Sequence, residues 1–399
     1  MLPLAVWGLA LGQALLITGN ILLISVNALI GQRLAPQQEL ATLPVAVQFI
    51  GLMAATLPAA QIMRLMGRKF GFLLGNLIGI GGGLLACLAI VQQDFLLFCL
   101  STALLGIAIG VGQQYRFAAT EACAPQDRPR AISLVMAGGV LAAVLGPNLA
   151  IWSNKIWPQP EFLGAFAALV ALYGLNLLLI SSLPLPQPTQ EEQTGARRSY
   201  RQLFRQPKLI TAIVAGAIGY GVMILVMTAT PIAMHHHAHD FRNTASVIQW
   251  HVLGMFLPSF FTGRLIARFG EIVVIQAGCV LLMTCVAAAQ IGTDYSLFLF
   301  SLVALGVGWN FTFIGATSLL TTSYQPAEKA KVQGANDFLV FACSAAASLL
   351  AGHLQAHLGW QLLNLTMLPA IGLAMFLVWH NARQPSTSME SGSNKKAGN

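Results

Sequence analysis

The sequence predicts an all-α membrane protein with twelve transmembrane helices in two pseudo-symmetric six-helix bundles. Three observations carry that expectation. Twelve apolar stretches are each long enough to span a bilayer, the basic residues gather in alternate loops, and the two halves of the chain repeat at an offset of about 200 residues.

The first rests on composition as well as length. Hydrophobic residues make up 56% of the 399 and charged residues 9%, against roughly 25% charged in a soluble domain. That is too little charge to coat a water-facing surface, so lipid must cover most of it. A helix crossing the hydrocarbon layer needs about 20 residues. The apolar stretches place helices near 4–30, 41–63, 70–92, 95–121, 131–152, 162–183, 209–234, 244–267, 271–292, 295–322, 332–355 and 359–380. The first runs from Leu2 to about Ile30 without a basic leader or a clean small-residue cleavage site, so it reads as a span rather than a removed signal.

The second observation sets orientation. The net charge of +8 would suit an acidic partner such as nucleic acid, but its placement argues against one. Arg64, Arg68 and Lys69, Arg128 and Arg130, the run from Arg197 to Lys208, Arg264 and Arg268, Lys329 and Lys331, and Arg383, Lys395 and Lys396 all fall in alternate loops or the tail. Arg33, Lys155 and Arg242 fall in the other set. Excess Lys and Arg mark the cytoplasmic side. Both termini are therefore expected inside a bacterial cytoplasmic membrane, with lipid as the surrounding partner and no nucleic acid.

The third observation divides the chain. The segment from Gly51 to Gly67 matches Gly254 to Gly270 at the same spacing. Leu105-Gly106 followed by Ala124-Pro125 echoes Leu305-Gly306 followed by Gln325-Pro326. Residues 1–183 and 209–383 are the expected bundles. A Pro- and Gln-rich, then basic, cytoplasmic linker covers 184–208, and a Ser-, Lys- and Gly-rich disordered tail covers 384–399.

Within that frame one local pattern points to chemistry. Met223 and Met227 stand four apart on the seventh expected helix, and His251 and Met255 four apart on the eighth. Residues at that spacing share a helix face. Counted from the outer ends, Met227 and His251 both lie roughly 10 Å deep, and Met223 and Met255 roughly 16 Å. If both faces point at the central cavity, they make a two-rung ladder of three thioethers and one imidazole. Soft, neutral thioethers select Cu(I) over hard cations, whereas Zn(II) is more usually held by Cys, His or carboxylate. The plainer reading is core packing, since Met commonly fills apolar helices. Against it stands His251, an ionisable residue within a span.

Met234, His235, His236, His237 and His239 form an expected outer loop between those helices. It reads as a metal-capture site at the mouth, a pH-sensitive gate or a solvated polar loop. Arg116, Glu121 and Asp337 lie in or near spans, where charge must pair. They are candidates for an inner-gate ion pair or for proton coupling. Arg116 and Glu121, five apart, do not share a face well, so each is expected to pair across helices. Asn20, Gln48, Gln113 and Gln114 are polar groups expected to join helices or line the cavity. Cys87, Cys99, Cys123, Cys279, Cys285 and Cys343 carry no CxxC pair and read as packing thiols. No Walker lysine motif and no nucleophile with a placed base is present, so neither an enzyme nor a bound cofactor is expected.

The loop after the second helix, Arg64-Leu-Met-Gly67-Arg68-Lys69, and that after the eighth, Gly263-Arg-Leu-Ile-Ala-Arg268-Phe-Gly270, resemble the loop motif of the major facilitator superfamily. Gly146-Pro147 resembles its Gly-Pro element. Ala60, Arg64 and Ser101 depart from the superfamily's usual glycine, acid and arginine, which weakens a drug-antiporter reading. Inside that frame, Met223-xxx-Met227 and His251-xxx-Met255 resemble the motifs of CcoA-type copper importers. The resemblance implies that these four residues bind copper as a transported substrate. It also implies partners in copper chaperones or the cytochrome oxidase assembly pathway. Two rivals stand beside it: a proton-coupled drug or metabolite exporter of the same fold, and a non-transporting copper sensor or oxidase assembly partner.

Overall fold

The computed structural model describes residues 2–37, 40, 43–157, 159–195 and 198–383. The expected tail, 384–399, lies outside them, as does Arg197. Eleven stretches of described residues are long and apolar enough to cross a membrane. The last, Pro326–Asn381, has 56 residues and is long enough to cross twice.

The first half is built from α1 (Leu4–Leu34), α2 (Leu43–Met66), α3 (Arg68–Gln92), α4 (Phe95–Gly112), α5 (Tyr115–Glu121), α6 (Arg128–Ile156) and α7 (Leu163–Ser182). Two short helices, α8 (Gln190–Thr194) and α9 (Tyr200–Leu203), form the linker. The second half comprises α10 (Pro207–His236), α11 (Phe241–Phe256), α12 (Ser259–Phe269), α13 (Glu271–Ile291), α14 (Tyr295–Thr321), α15 (Lys329–Leu365) and α16 (Leu368–Arg383).

Local chemistry explains the boundaries. Asp94 and Asp240 cap α4 and α11, accepting from the backbone N–H of Leu97 at 2.9 Å and of Asn243 at 2.7 Å. Pro207 occupies the first turn of α10, where its missing N–H costs nothing. Between α2 and α3 the chain turns on Gly67 alone (φ 90°), and between α12 and α13 on Gly270 alone (φ 83°). Side chains avoid that backbone region, so glycine is the residue that fits. The same device in both halves extends the repeat seen in the sequence.

Three boundaries differ from expectation. The fourth span is two helices, broken at Gln113 and Gln114. The eighth is broken at Leu257 and Pro258, where proline has no N–H to continue the ladder. The eleventh and twelfth meet without an intervening loop, because Gly359 (φ 71°) turns the backbone inside α15.

The repeat also explains packing. A methyl group on Gly106 of α4 would collide with the Gln48 carbonyl of α2, and one on Gly306 of α14 would sit 2.6 Å from the His251 carbonyl of α11. Small residues allow such close backbone approach, which substitutes for a hydrophobic driving force between helices in lipid. Polar glue adds to it. Asn27 Nδ2 donates to Gln48 Oε1 at 2.8 Å, and Gln48 Nε2 to Asn20 Oδ1 at 3.2 Å, joining α1 to α2.

Candidate functional site

The basic-loop end of the molecule is held shut by a charged network that joins the halves. Arg116 of α5 pairs with Asp337 of α15, and both side chains are fully buried. Gln114 Nε2 donates to the other Asp337 oxygen at 2.7 Å, and Asn336 Nδ2 to the first at 3.0 Å. The Arg116 guanidinium also lies over Phe117 and Phe313, 4.7 and 4.8 Å from the ring centres. One turn nearer that end, Arg68 of the first loop motif bonds Glu121 at 2.6 Å, Gln114 at 2.8 Å and Gln333 at 2.5 Å. Lys329 bridges Glu121 at 3.3 Å and Glu192 of α8 at 2.6 Å. Arg198 of the linker grips Glu328 through two bonds of 2.5 Å. The Glu328 carboxylate holds the Arg198 guanidinium above its usual pKa. Arg116 and Glu121 thus pair across helices, as their spacing predicts, and Gln113 and Gln114 join the network rather than facing an open cavity.

Of the other loop-motif residues, Gly263 makes a contact between the halves, whereas Lys69 and Arg268 bond within their own half. Lys69 Nζ caps the Leu183 carbonyl at 3.1 Å. Gly263 donates its N–H to Ser133 Oγ at 3.0 Å and lies so close to α6 that a methyl there would meet the Pro129 carbonyl at 2.7 Å. Arg268 stacks over Phe269 at 5.1 Å. The Pro147 side chain is outside what the structure describes.

Met223, His251 and Met255 are buried and Met227 is half-buried against the core. His251 Nδ1 lies 2.8 Å from the Leu302 carbonyl of α14. A carbonyl only accepts, so Nδ1 carries the proton and Nε2 presents its lone pair. Nε2 is buried and has no protein partner. One helical turn away, the Met255 carbonyl accepts from Asn310 Nδ2 at 2.7 Å, and Asn310 also bonds Ser259 Oγ at 2.6 Å and Thr262 Oγ1 at 2.7 Å. This clamp from α14 ties together the two pieces of the broken eighth span. α11 rests mainly on α14, while α10 packs against α15 and α14.

Sequence reasoning missed an aromatic cluster at this level. Tyr220, three residues before Met223, is half-buried and makes edge contacts with Trp309 (5.4 Å), Phe313 (5.2 Å) and Phe341 (5.8 Å). Phe256, next to Met255, meets Trp309 at 5.7 Å and presses on Gly139 of the first half. Trp309 Nε1 is a second buried polar atom without a partner. These aromatics come from four helices, and no local spacing announces them.

The outer histidines do not gather. Met234 is buried, and His235, His236 and His237 are exposed along the last turn of α10 and its cap. His239 Nε2 is committed to the Thr293 carbonyl at 2.7 Å. Among the described residues no three His, Cys, Asp or Glu side chains are placed to hold a metal ion. The helix continues through His236, so consecutive imidazoles fan round its axis. Two cavities, of about 240 and 470 Å³, lie at the basic-loop end beside the linker, the first lined by Arg64, Arg68, Glu121, Arg128, Glu192 and Lys329. Both are remote from the Met/His level.

Two helical halves, a buried ion-pair latch between them at one end, and unpartnered polar atoms behind it define a secondary transporter. The chain belongs to the Major Facilitator Superfamily, whose profile matches residues 9–335 and 216–397. It is 42% identical to the riboflavin transporter RfnT of Brucella anthropi over 371 residues, 92% of this chain and 93% of that protein. It is 30% identical to the uncharacterized transporter YdeG of Bacillus subtilis over 379 residues, 90% of this chain and 88% of that one. The fold is shared with the fucose:proton symporter of E. coli (TM-score 0.76, 15% identity, 95% and 98% of the two chains). It is also shared with a bacterial homologue of the iron transporter ferroportin (TM-score 0.72, 15% identity, 96% and 100%).

Proposed function

We propose that this transporter carries Cu(I) inward across the bacterial cytoplasmic membrane, with the ion passed along His251, Met227, Met255 and Met223. The observation that supports it is the state of His251. Its Nδ1–H is spent on a backbone carbonyl and its Nε2 lone pair is buried without a partner. Metal-ligating histidines are commonly oriented this way. Met255 stands one turn below on the same helix, and thioether sulfur suits a soft ion. With the basic loops in the cytoplasm, the latch closes the inner end, and cargo enters from the side of the His-rich loop. Rocking of the halves then breaks Arg116–Asp337 and opens the path inward, to the copper chaperones or oxidase assembly machinery that the copper reading implies.

A second reading is import of a planar heterocycle such as a flavin. It is favoured by the Brucella relative, a riboflavin transporter, and by the half-buried Tyr220 face among Trp309, Phe313 and Phe341, which suits ring stacking. Uptake of radioactive copper and of labelled riboflavin, measured side by side in cells lacking their own importers, separates the two. Copper accumulation is expected to rise with the wild-type chain and to be lost in Met227→Ala and His251→Asn at equal membrane abundance. Wild-type cells that gain riboflavin and no copper would overturn the copper assignment in favour of the flavin.

A further inference from the structure

We infer that His353 and His357, near the end of α15 remote from the basic loops, form a two-imidazole site for an imidazole-preferring divalent ion such as Cu(II), Ni(II) or Zn(II). The pair stands four apart on one helix, the spacing at which two histidines share a face and chelate one ion. Both side chains are exposed, and their ring centres lie 4.3 Å apart at 54°. Two nitrogens at about 2.0–2.1 Å from one ion, roughly at right angles or tetrahedral, set ring centres about 4.5–5 Å apart. A small rotamer adjustment therefore closes the site. His235 and His236, by contrast, are sequence neighbours whose rings stand 6.5 Å apart.

The position suits a surface site. His357 is two residues before Gly359, where the backbone leaves the helix. His353 is one turn, about 6 Å, further in. Beyond the break, Trp360 packs on Phe298 at 4.9 Å, and Phe298 in turn carries His237 (6.4 Å) and His239 (5.5 Å). The pair therefore shares a rim with the histidine-rich loop. Two imidazoles leave coordination positions open for water or a further ligand, and they lack the thioethers that favour Cu(I). The site is separate from the one at His251.

The test uses purified full-length protein in detergent, with Zn(II) titrated calorimetrically and Cu(II) followed by electron paramagnetic resonance. His353→Asn and His357→Asn are each expected to weaken Zn(II) at this site at least tenfold. Each should also remove the splitting that reports two equivalent nitrogens on Cu(II). A variant with Asn at 235, 236, 237 and 239 should keep both signals, and so should His251→Asn, which separates this site from the cargo path. Size-exclusion profiles confirm that each variant is folded. Unchanged binding in both single variants, or loss of the two-nitrogen signal in the loop variant alone, overturns the assignment.

Discussion

Asp337→Asn is expected to unlatch the closed end. Asp337 is fully buried and neutralises Arg116, which is equally buried, so solvent screening is slight. Removing one partner of a buried ion pair costs about 3–5 kcal/mol, chiefly because the other charge is left uncompensated. Opening the halves lets water reach Arg116 and relieves that cost, so it counts against the closed state alone. At a factor of ten per 1.4 kcal/mol, the open-to-closed ratio at this end should rise by roughly two to three and a half orders of magnitude. Spin labels on Arg130 of α6 and Ala267 of α12, both exposed and on opposite halves, report the change as a longer distance population in pulsed resonance measurements on a cysteine-free background. An apolar replacement of both partners, Arg116→Met with Asp337→Leu, should fall back towards the wild-type distribution. Such isosteres remove the stranded charge as well as the attraction. An Asp337→Asn distance distribution that matches wild type would refute the latch.

Gly306→Ala should lower the melting temperature in detergent by the equivalent of about 1–3 kcal/mol, the usual cost of overpacking. Its methyl group would press on the His251 carbonyl, whereas Gly352→Ala, with open space around it, should melt within about 0.5 kcal/mol of wild type. Burial, and then the Asp127 charge, push the Cys123 thiol up to about 11. Maleimide labelling at that residue should therefore be slow at neutral pH and rise about tenfold per pH unit as the thiolate fraction grows, up to the region of that value. A labelling rate that levels off below pH 9 would contradict it.

The fold was legible because lipid imposes length and polarity on each span. The latch was half legible. Arg116, Glu121 and Asp337 stand out as charges in apolar stretches, Arg68 as part of a loop motif and Gln114 as a polar group in a span, yet nothing local pairs Arg116 with Asp337 or Arg68 with Glu121, and Gln333 carries no signature of its own. Gly67 and Gly270 could be read as loop-motif glycines, and the structure adds that each is the whole loop. The breaks at Gln113 and Pro258 were hidden because hydropathy runs straight through them. Tyr220, Phe256, Trp309, Phe313 and Phe341 were hidden for the opposite reason, since an aromatic in an apolar helix is unremarkable until four helices bring several together. For the outer histidines, clustering in sequence did not become clustering in space, because the helix carries them round its axis.

The one-residue joints at Gly67 and Gly270 have a mechanical consequence. A connection that short has no slack, so α2 cannot slide against α3, nor α12 against α13, by more than a glycine's torsions allow. Each joined pair must travel as a stiff fork. Whatever bending the cycle requires is pushed to the interrupted rods, at Gln113–Gln114 and Leu257–Pro258.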